Sequence, residues 1–320
     1  MPDQLTNTQG VYTNLQELMK FQYKARGFSF LPKQPVHSLL TGRHASRLRG
    51  RGMDFEEIRR YLPGDDIRKI DWKVTARTKK PHTRVYTEER ERPVLLVVDQ
   101  RVSMFFGTRV NMKSVTAAHC AALAAWRVVG QGDRVGALVF NDTQVKEISP
   151  HRSRKRVMQI IGQIVQFNQL LKVDAQTKAN STMLNEVLDR ALRMAKHDYL
   201  ICIISDFYGM NENTKRLIKL MGQHNDVLAS LIYDPAAAKP PKGGRFVVSD
   251  GELQVEVDIS SGKQRTDIAN IFNKRLRSLK DELSKLGIPV LPIQTEDPIE
   301  LQIRQLLGQA VAARGGIHVR

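Results

Sequence analysis

Residues 94–98, Val-Leu-Leu-Val-Val, form an unbroken apolar run that ends on a carboxylate, Asp99. A strand apolar on both sides has to be covered on both sides, which is the habit of a parallel sheet inside an α/β domain. Asp99 then stands at the carboxyl end of its strand, where open α/β sheets bind ligands. A hydroxyl, Ser103, comes four positions later, and Arg101 lies between the two.

From Pro93 onward, strand-like and helix-like runs alternate, and the spacing predicts a doubly wound, mainly parallel sheet covered by helices. Strands are expected over 94–98, 198–204, 227–233 and 289–293, with a hairpin from 134–140 and 144–148 turning at Asn141-Asp142. Helices are expected over 111–129, 152–167, 183–194, 213–221 and 266–286, with a short one over 298–307. Residues 236–261, rich in Pro and Gly, read as a surface hairpin with strand-like pieces at 246–249 and 253–257. The predicted domain spans 93–309, with a tail from 310 to 320 that has few apolar anchors. Before it come a helical arm over 1–39, with its helix at 15–23, and a smaller charged β/α segment over 40–92.

Three segments bring oxygen donors to one edge of this sheet: Asp99 with Ser103, Ser181-Thr182 ahead of a helix, and Ser205-Asp206 after a buried strand. Asp99, Ser103, Thr182 and Asp206 suit a hard divalent cation such as Mg²⁺ or Mn²⁺. The pattern resembles the von Willebrand factor A fold. The adhesion site of that fold holds its metal through Asp-x-Ser-x-Ser, a Thr in a later loop and an Asp after a later strand. On that resemblance the metal is a device for gripping a partner's acidic side chain. Arg101 departs from it, standing where the family has a Ser ligand. A guanidinium about 5 Å from a divalent ion, at an effective dielectric of about 20, is repelled by roughly 6 kcal/mol. Three readings stay open: a metal with Arg101 swung outward, Arg101 itself lodged between Asp99 and Asp206, or polar residues that merely cap strands and helices.

Residues 51–77 hold seven basic and six acidic side chains around Phe55, Ile58, Tyr61, Ile67, Ile70 and Trp72. Pro63-Gly64 suits a turn, Asp65 or Asp66 is placed to cap a helix running through Ile70, and 82–91 alternates like an exposed strand. The block looks like the signature of a bacterial family of unknown function, numbered fifty-eight. Gly52, Phe55, Arg59, Tyr61, Gly64, Asp65, Asp66, Arg68, Ile70, Asp71, Trp72, Ala76 and Arg77 all fall in register with it. The resemblance covers about 40–307. It implies a von Willebrand A-like domain and genes placed beside MoxR-type AAA+ ATPases. Arg59, Arg68, Arg77 and Arg101 are then the candidates for gripping such a partner. The block also reads as a salt-bridged brace with no partner at all.

Fifty Lys/Arg against 33 Asp/Glu give a formal charge of +17, which favours acidic partners at long range. A nucleic-acid binder is therefore the competing expectation, weakened because aromatics make up only 6% of the chain and do not interleave with the basic runs. No apolar run approaches the roughly 18 residues a membrane span needs, and the start lacks a targeting pattern, so a cytoplasmic protein without membrane insertion is expected. Cys120 and Cys202 fall in apolar stretches and read as core residues. No Gly-x-x-x-x-Gly-Lys-Ser/Thr loop, His-Glu-x-x-His pair or Gly-x-Ser-x-Gly elbow is present. The expectation is a non-enzymatic adaptor with no cofactor unless Mg²⁺ or Mn²⁺ occupies the Asp99 edge. Its partners would be a MoxR-type ATPase and client proteins.

Overall fold

The computed structural model describes residues 10–25, 53–88, 92–172, 179–235, 245–249, 254–258 and 262–306. The Asp250-Gly251 turn and the tail from Ala310 lie outside these residues. The chain forms two compact units, one comprising Met1–Leu39 with Arg92–Arg320, the other Leu40–Glu91.

The larger unit is built on a six-stranded sheet. Its strands are β3 (Val94–Asp99), β4 (Val135–Phe140), β5 (Val145–His151), β6 (Leu200–Ser205), β7 (Asp226–Tyr233) and β10 (Val290–Gln294), in the order β10-β7-β6-β3-β4-β5. All neighbours are parallel except β4 and β5, the hairpin through Asn141 and Asp142. The architecture is α/β, a doubly wound and mainly parallel sheet.

Every residue of β3, β4 and β6 is buried, because both faces are covered. Val94, Leu96 and Val98 point to the layer made by α1 (Leu15–Lys24), α3 (Lys113–Gly130) and α4 (Arg154–Gln169). Leu95 and Val97 point to the other layer, which holds α5 (Met183–Met194), α6 (Glu212–His224) and α7 (Gly262–Lys285). The small side chains Ala117, Ala118, Ala121, Ala122 and Ala125 of α3 are fully buried and let that helix lie close on the sheet. A helical segment over 299–306 comes after β10 and adds Ile299 and Ile303 to the first layer.

Because β4 lies on one side of β3 and β6 on the other, successive crossovers from β3 and toward β6 diverge at their carboxyl ends. That is the topological switch point where such sheets open a crevice. Asp99 and Ser205 end the two strands that flank it.

The smaller unit pairs β1 (Met53–Arg60) with β2 (His82–Glu88) in an antiparallel hairpin with an irregularity between Phe55 and Glu57. Asp66 is a cap, accepting from the Arg68 N–H at 3.0 Å, but the element it caps is a 3-10 turn, Ile67–Lys69, and not a helix through Ile70. The helix comes later, as α2 (Trp72–Thr78), with Asp71 accepting from the Lys73 and Val74 N–H groups at 3.0 and 3.1 Å. Val74, Thr75 and Thr78 are poor helix formers, so the cap had to be recognised before the helix. A separate two-stranded hairpin joins β8 (Arg245–Ser249) and β9 (Gln254–Asp258).

Candidate functional site

The switch point is crowded with charge. Asp99 is fully buried, and both of its oxygens are engaged. Oδ1 accepts from the Arg101 N–H and from Nε, each at 3.0 Å, and Oδ2 accepts from Arg101 Nη2 at 2.7 Å and from the Ser205 hydroxyl at 2.6 Å. The rest of the guanidinium is used as well. Nη1 donates to the Asn180 carbonyl at 3.2 Å and Nη2 to the Tyr208 carbonyl at 3.1 Å, while the Phe140 ring lies 5.5 Å from its centre. Arg101 is therefore only 1% exposed, and a buried arginine whose planar fork meets carboxylate and carbonyls together is a strong charge-assisted arrangement. Burial alone would weaken its charge, but Asp99 more than offsets that and holds the proton more tightly than usual.

Asp206 stands 3.9 Å from Arg101 and has a cation of its own, Lys113 Nζ at 2.6 Å. Burial pushes its carboxyl up, yet Lys113 and Arg101 together hold it down to about 2. Lys113 opens α3, an unfavourable end of the helix dipole for a cation, and its ion pair with Asp206 supplies the compensation. The third carboxylate, Asp142 in the β4–β5 turn, accepts from the Val102 N–H at 2.7 Å and the Asn180 N–H at 2.8 Å, which ties two loops together. Burial, with Asp99 nearby, raises its pKa.

The expected metal ligands are only partly assembled. Ser103 places its hydroxyl 3.5 Å from Asp206 Oδ1, at the outer limit of a hydrogen bond. Thr182 is exposed and turns its hydroxyl to Asn180 Oδ1 at 2.8 Å, so the loop presents a backbone carbonyl to Arg101 and no hydroxyl. This donor set does not fit a divalent cation. A guanidinium and an ammonium sit on its two carboxylates, and Asp99 already accepts from two residues besides its own loop N–H. Among the described residues no group of three His, Cys, Asp or Glu side chains converges as metal ligands.

The loop after β6 is shaped for this contact. Phe207 is 1% exposed and adopts φ 54°, a left-handed conformation uncommon for a bulky residue, held by its N–H to Ser205 Oγ at 2.9 Å. Gly209, at φ 78°, lets the loop approach Ser181, whose carbonyl oxygen would lie 2.6 Å from an added Cβ.

Of the arginines singled out for partner contact, Arg59 forms a bidentate pair with Asp65 at 2.7 and 2.8 Å, while Arg68 and Arg77 are exposed. Asp71 pairs with Arg84 at 2.8 Å as well as capping α2. The sequence alone places Ser205 at this edge beside Asp206, but it does not single out Lys113 and Asp142 as members of the cluster. A lysine at the start of a helix is the one available signal for the first of them.

Residues 57–278 match the model of a family described as protein of unknown function DUF58. The chain belongs to that family. Uncharacterized proteins of Mycobacterium tuberculosis and Mycobacterium bovis are each 30% identical to this DUF58 chain over 265 residues, covering 82% of it and 81% of their own length. Among solved structures, the conserved hypothetical protein BatB from Bacteroides thetaiotaomicron aligns at 14% identity with a TM-score of 0.38, over 70% of this chain and 99% of its own. The von Willebrand A domain of SpRpn10 aligns at 11% identity and 0.35, over 69% and 95%. No described helix of this DUF58 chain is long and apolar enough to cross a membrane.

Proposed function

We propose that this DUF58 protein is a non-enzymatic, cytoplasmic adaptor whose switch-point loops grip a partner protein without a divalent cation. The observation that carries the reading is Arg101 seated on Asp99 with Lys113 seated on Asp206. Each carboxylate that would hold a metal in a von Willebrand A-like adhesion site has an internal cation instead. None of these groups is left as a general base, and the surrounding loops are held in one arrangement ready for contact. The partner this family resemblance points to is a MoxR-type AAA+ ATPase, which would act with the adaptor on client proteins during their assembly or maturation.

Ser103 and Thr182 lie at the accessible rim of the cluster. Co-expression with the MoxR-type ATPase of the same organism should yield a complex that co-elutes in size exclusion with ATP and Mg²⁺. Ser103→Arg or Thr182→Arg should weaken it by about tenfold or more, as steric and charge intrusions at a contact centre do. Absence of co-elution in ATP, ADP and nucleotide-free conditions would sink the reading. A duplex DNA that binds with affinity falling steeply in salt, with no ATPase complex, would replace it by nucleic-acid binding.

A further inference from the structure

We propose that the unit Leu40–Glu91 is a docking element that receives an acidic, apolar-bearing segment of a partner protein around Trp72. This goes beyond the adaptor reading and does not depend on it, since it concerns the other unit of the chain and holds whatever partner the switch-point loops take. The unit has no core of its own among its described side chains. Only Asp71 and Thr83 are buried there, while Trp72 is 70% exposed, Ile67 65% and Leu62 58%. These three lie on one continuous segment, the turn, 3-10 turn and first residue of α2 that link β1 to β2. Large apolar side chains left in water together on one connecting segment mark a place for a partner to cover.

The charges around them specify the sign of the cover. Between residues 58 and 84 the carboxylates are Asp65, Asp66 and Asp71. Asp65 is engaged by Arg59 and the Leu62 N–H and Asp71 by Arg84 and the α2 cap, while Asp66 is exposed and accepts from the Arg68 N–H. Arg68, Lys69, Lys73, Arg77, Lys79 and Lys80 are exposed and have no ion pair among the described residues. A surface with tryptophan and arginine together, where two of the three carboxylates between residues 58 and 84 are already paired with arginines, fits carboxylates interspersed with apolar side chains. A second copy would bring like charges together. Nucleic acid would find one exposed ring and aliphatic side chains in place of a series of stacking platforms. A membrane surface would call for an apolar stripe along a helix longer than the seven residues of α2.

The test uses the full chain and a fluorescein-labelled peptide of alternating glutamate and leucine, followed by anisotropy. The expected result is saturable binding with a blue shift of Trp72 emission, since Trp126 is already buried at 7% exposure. Binding should weaken by about tenfold or more in Trp72→Ala and, independently, in Lys73→Glu with Arg77→Glu, and for a glutamate–serine peptide. Four results overturn the proposal. These are no saturable binding, equal binding by both variants, equal or tighter binding of single-stranded DNA or phosphatidylglycerol vesicles, and a Trp72 emission already blue-shifted in the free chain. Two independent variants on exposed positions keep the result readable if either one fails to fold.

Discussion

Asp206 keeps its charge in a nearly enclosed place because two cations hold it there. Its carboxyl is lowered from 3.8 to about 2. The stability this provides is fully present above the unfolded value, near pH 4, and is lost as pH falls through about 2. It amounts to about 2 kcal/mol. Asp142 leans the other way, since its raised pKa favours the folded state as pH falls. Urea unfolding from pH 6 down to pH 2 should therefore show a decline that flattens in Asp206→Asn; an unchanged profile in the variant would count against the ion pair. Arg101→Ser leaves Asp99 buried without its cation, a loss expected to cost about 3–5 kcal/mol. In Arg101→Ser with Lys113→Ala, Mg²⁺ or Mn²⁺ should recover part of that loss and give a calorimetric binding signal, whereas the wild-type chain should give none. A wild-type signal at millimolar metal would refute the account of Arg101 as the resident cation. Arg101 was legible in the sequence as the residue that does not belong in a metal loop. Which of its two escapes it takes was not, because the choice rests on the Asn180 and Tyr208 carbonyls, which come from loops 79 and 107 positions away.

The helix α1 is joined to this cluster by a line of buried amides. The Thr13 N–H donates to Asn168 Oδ1 at 2.9 Å, Asn168 Nδ2 donates to Gln100 Oε1 at 3.0 Å, and Gln100 Nε2 donates to the Ser114 carbonyl at 3.0 Å. Gln100 lies between Asp99 and Arg101 in the chain, so the end of α4, the start of α3 and the loop after β3 share one network. Leu18 and Phe21 bury the face of α1 against α3, where Glu17 meets His119 at 2.8 Å and Trp126 Nε1 donates to the Leu18 carbonyl at 3.2 Å. Asn168→Ala should cost about 2–4 kcal/mol by leaving two buried partners unsatisfied. Amide hydrogen exchange should then accelerate in α1 and in the loop after β3 together, and acceleration in only one of them would break the proposed link. The strands of the sheet were readable because their apolar runs have no polar alternation. The amide line was not, since Gln100 and Asn168 look like ordinary surface residues until both ends are buried. The helix α2 is hidden in the sequence for a local reason, its β-branched composition, which the Asp71 cap outweighs.

Across the molecule, the alternation of apolar runs foretold a doubly wound, mainly parallel sheet and its two layers, but not the strand order that sets β3 in the middle of the sheet. The two thiols, Cys120 and Cys202, are buried and pushed up to about 12 by loss of hydration. The native chain should be inert to a thiol reagent at pH 8 and yield two reactive groups only after denaturation. Labelling of either in the native state would mean the core opens far more readily than its packing implies. The outer strands of the sheet also differ from its centre. β10 contains Pro292 and β5 contains Pro150, and β5 runs antiparallel with exposed Lys146 and Glu147. A proline has no N–H to offer an incoming strand, and charged side chains further discourage one. Neither margin of this six-stranded sheet is suited to templating: it resists extension by a foreign β-segment or fusion into fibrils, and a partner that meets this sheet is met by side chains and loops.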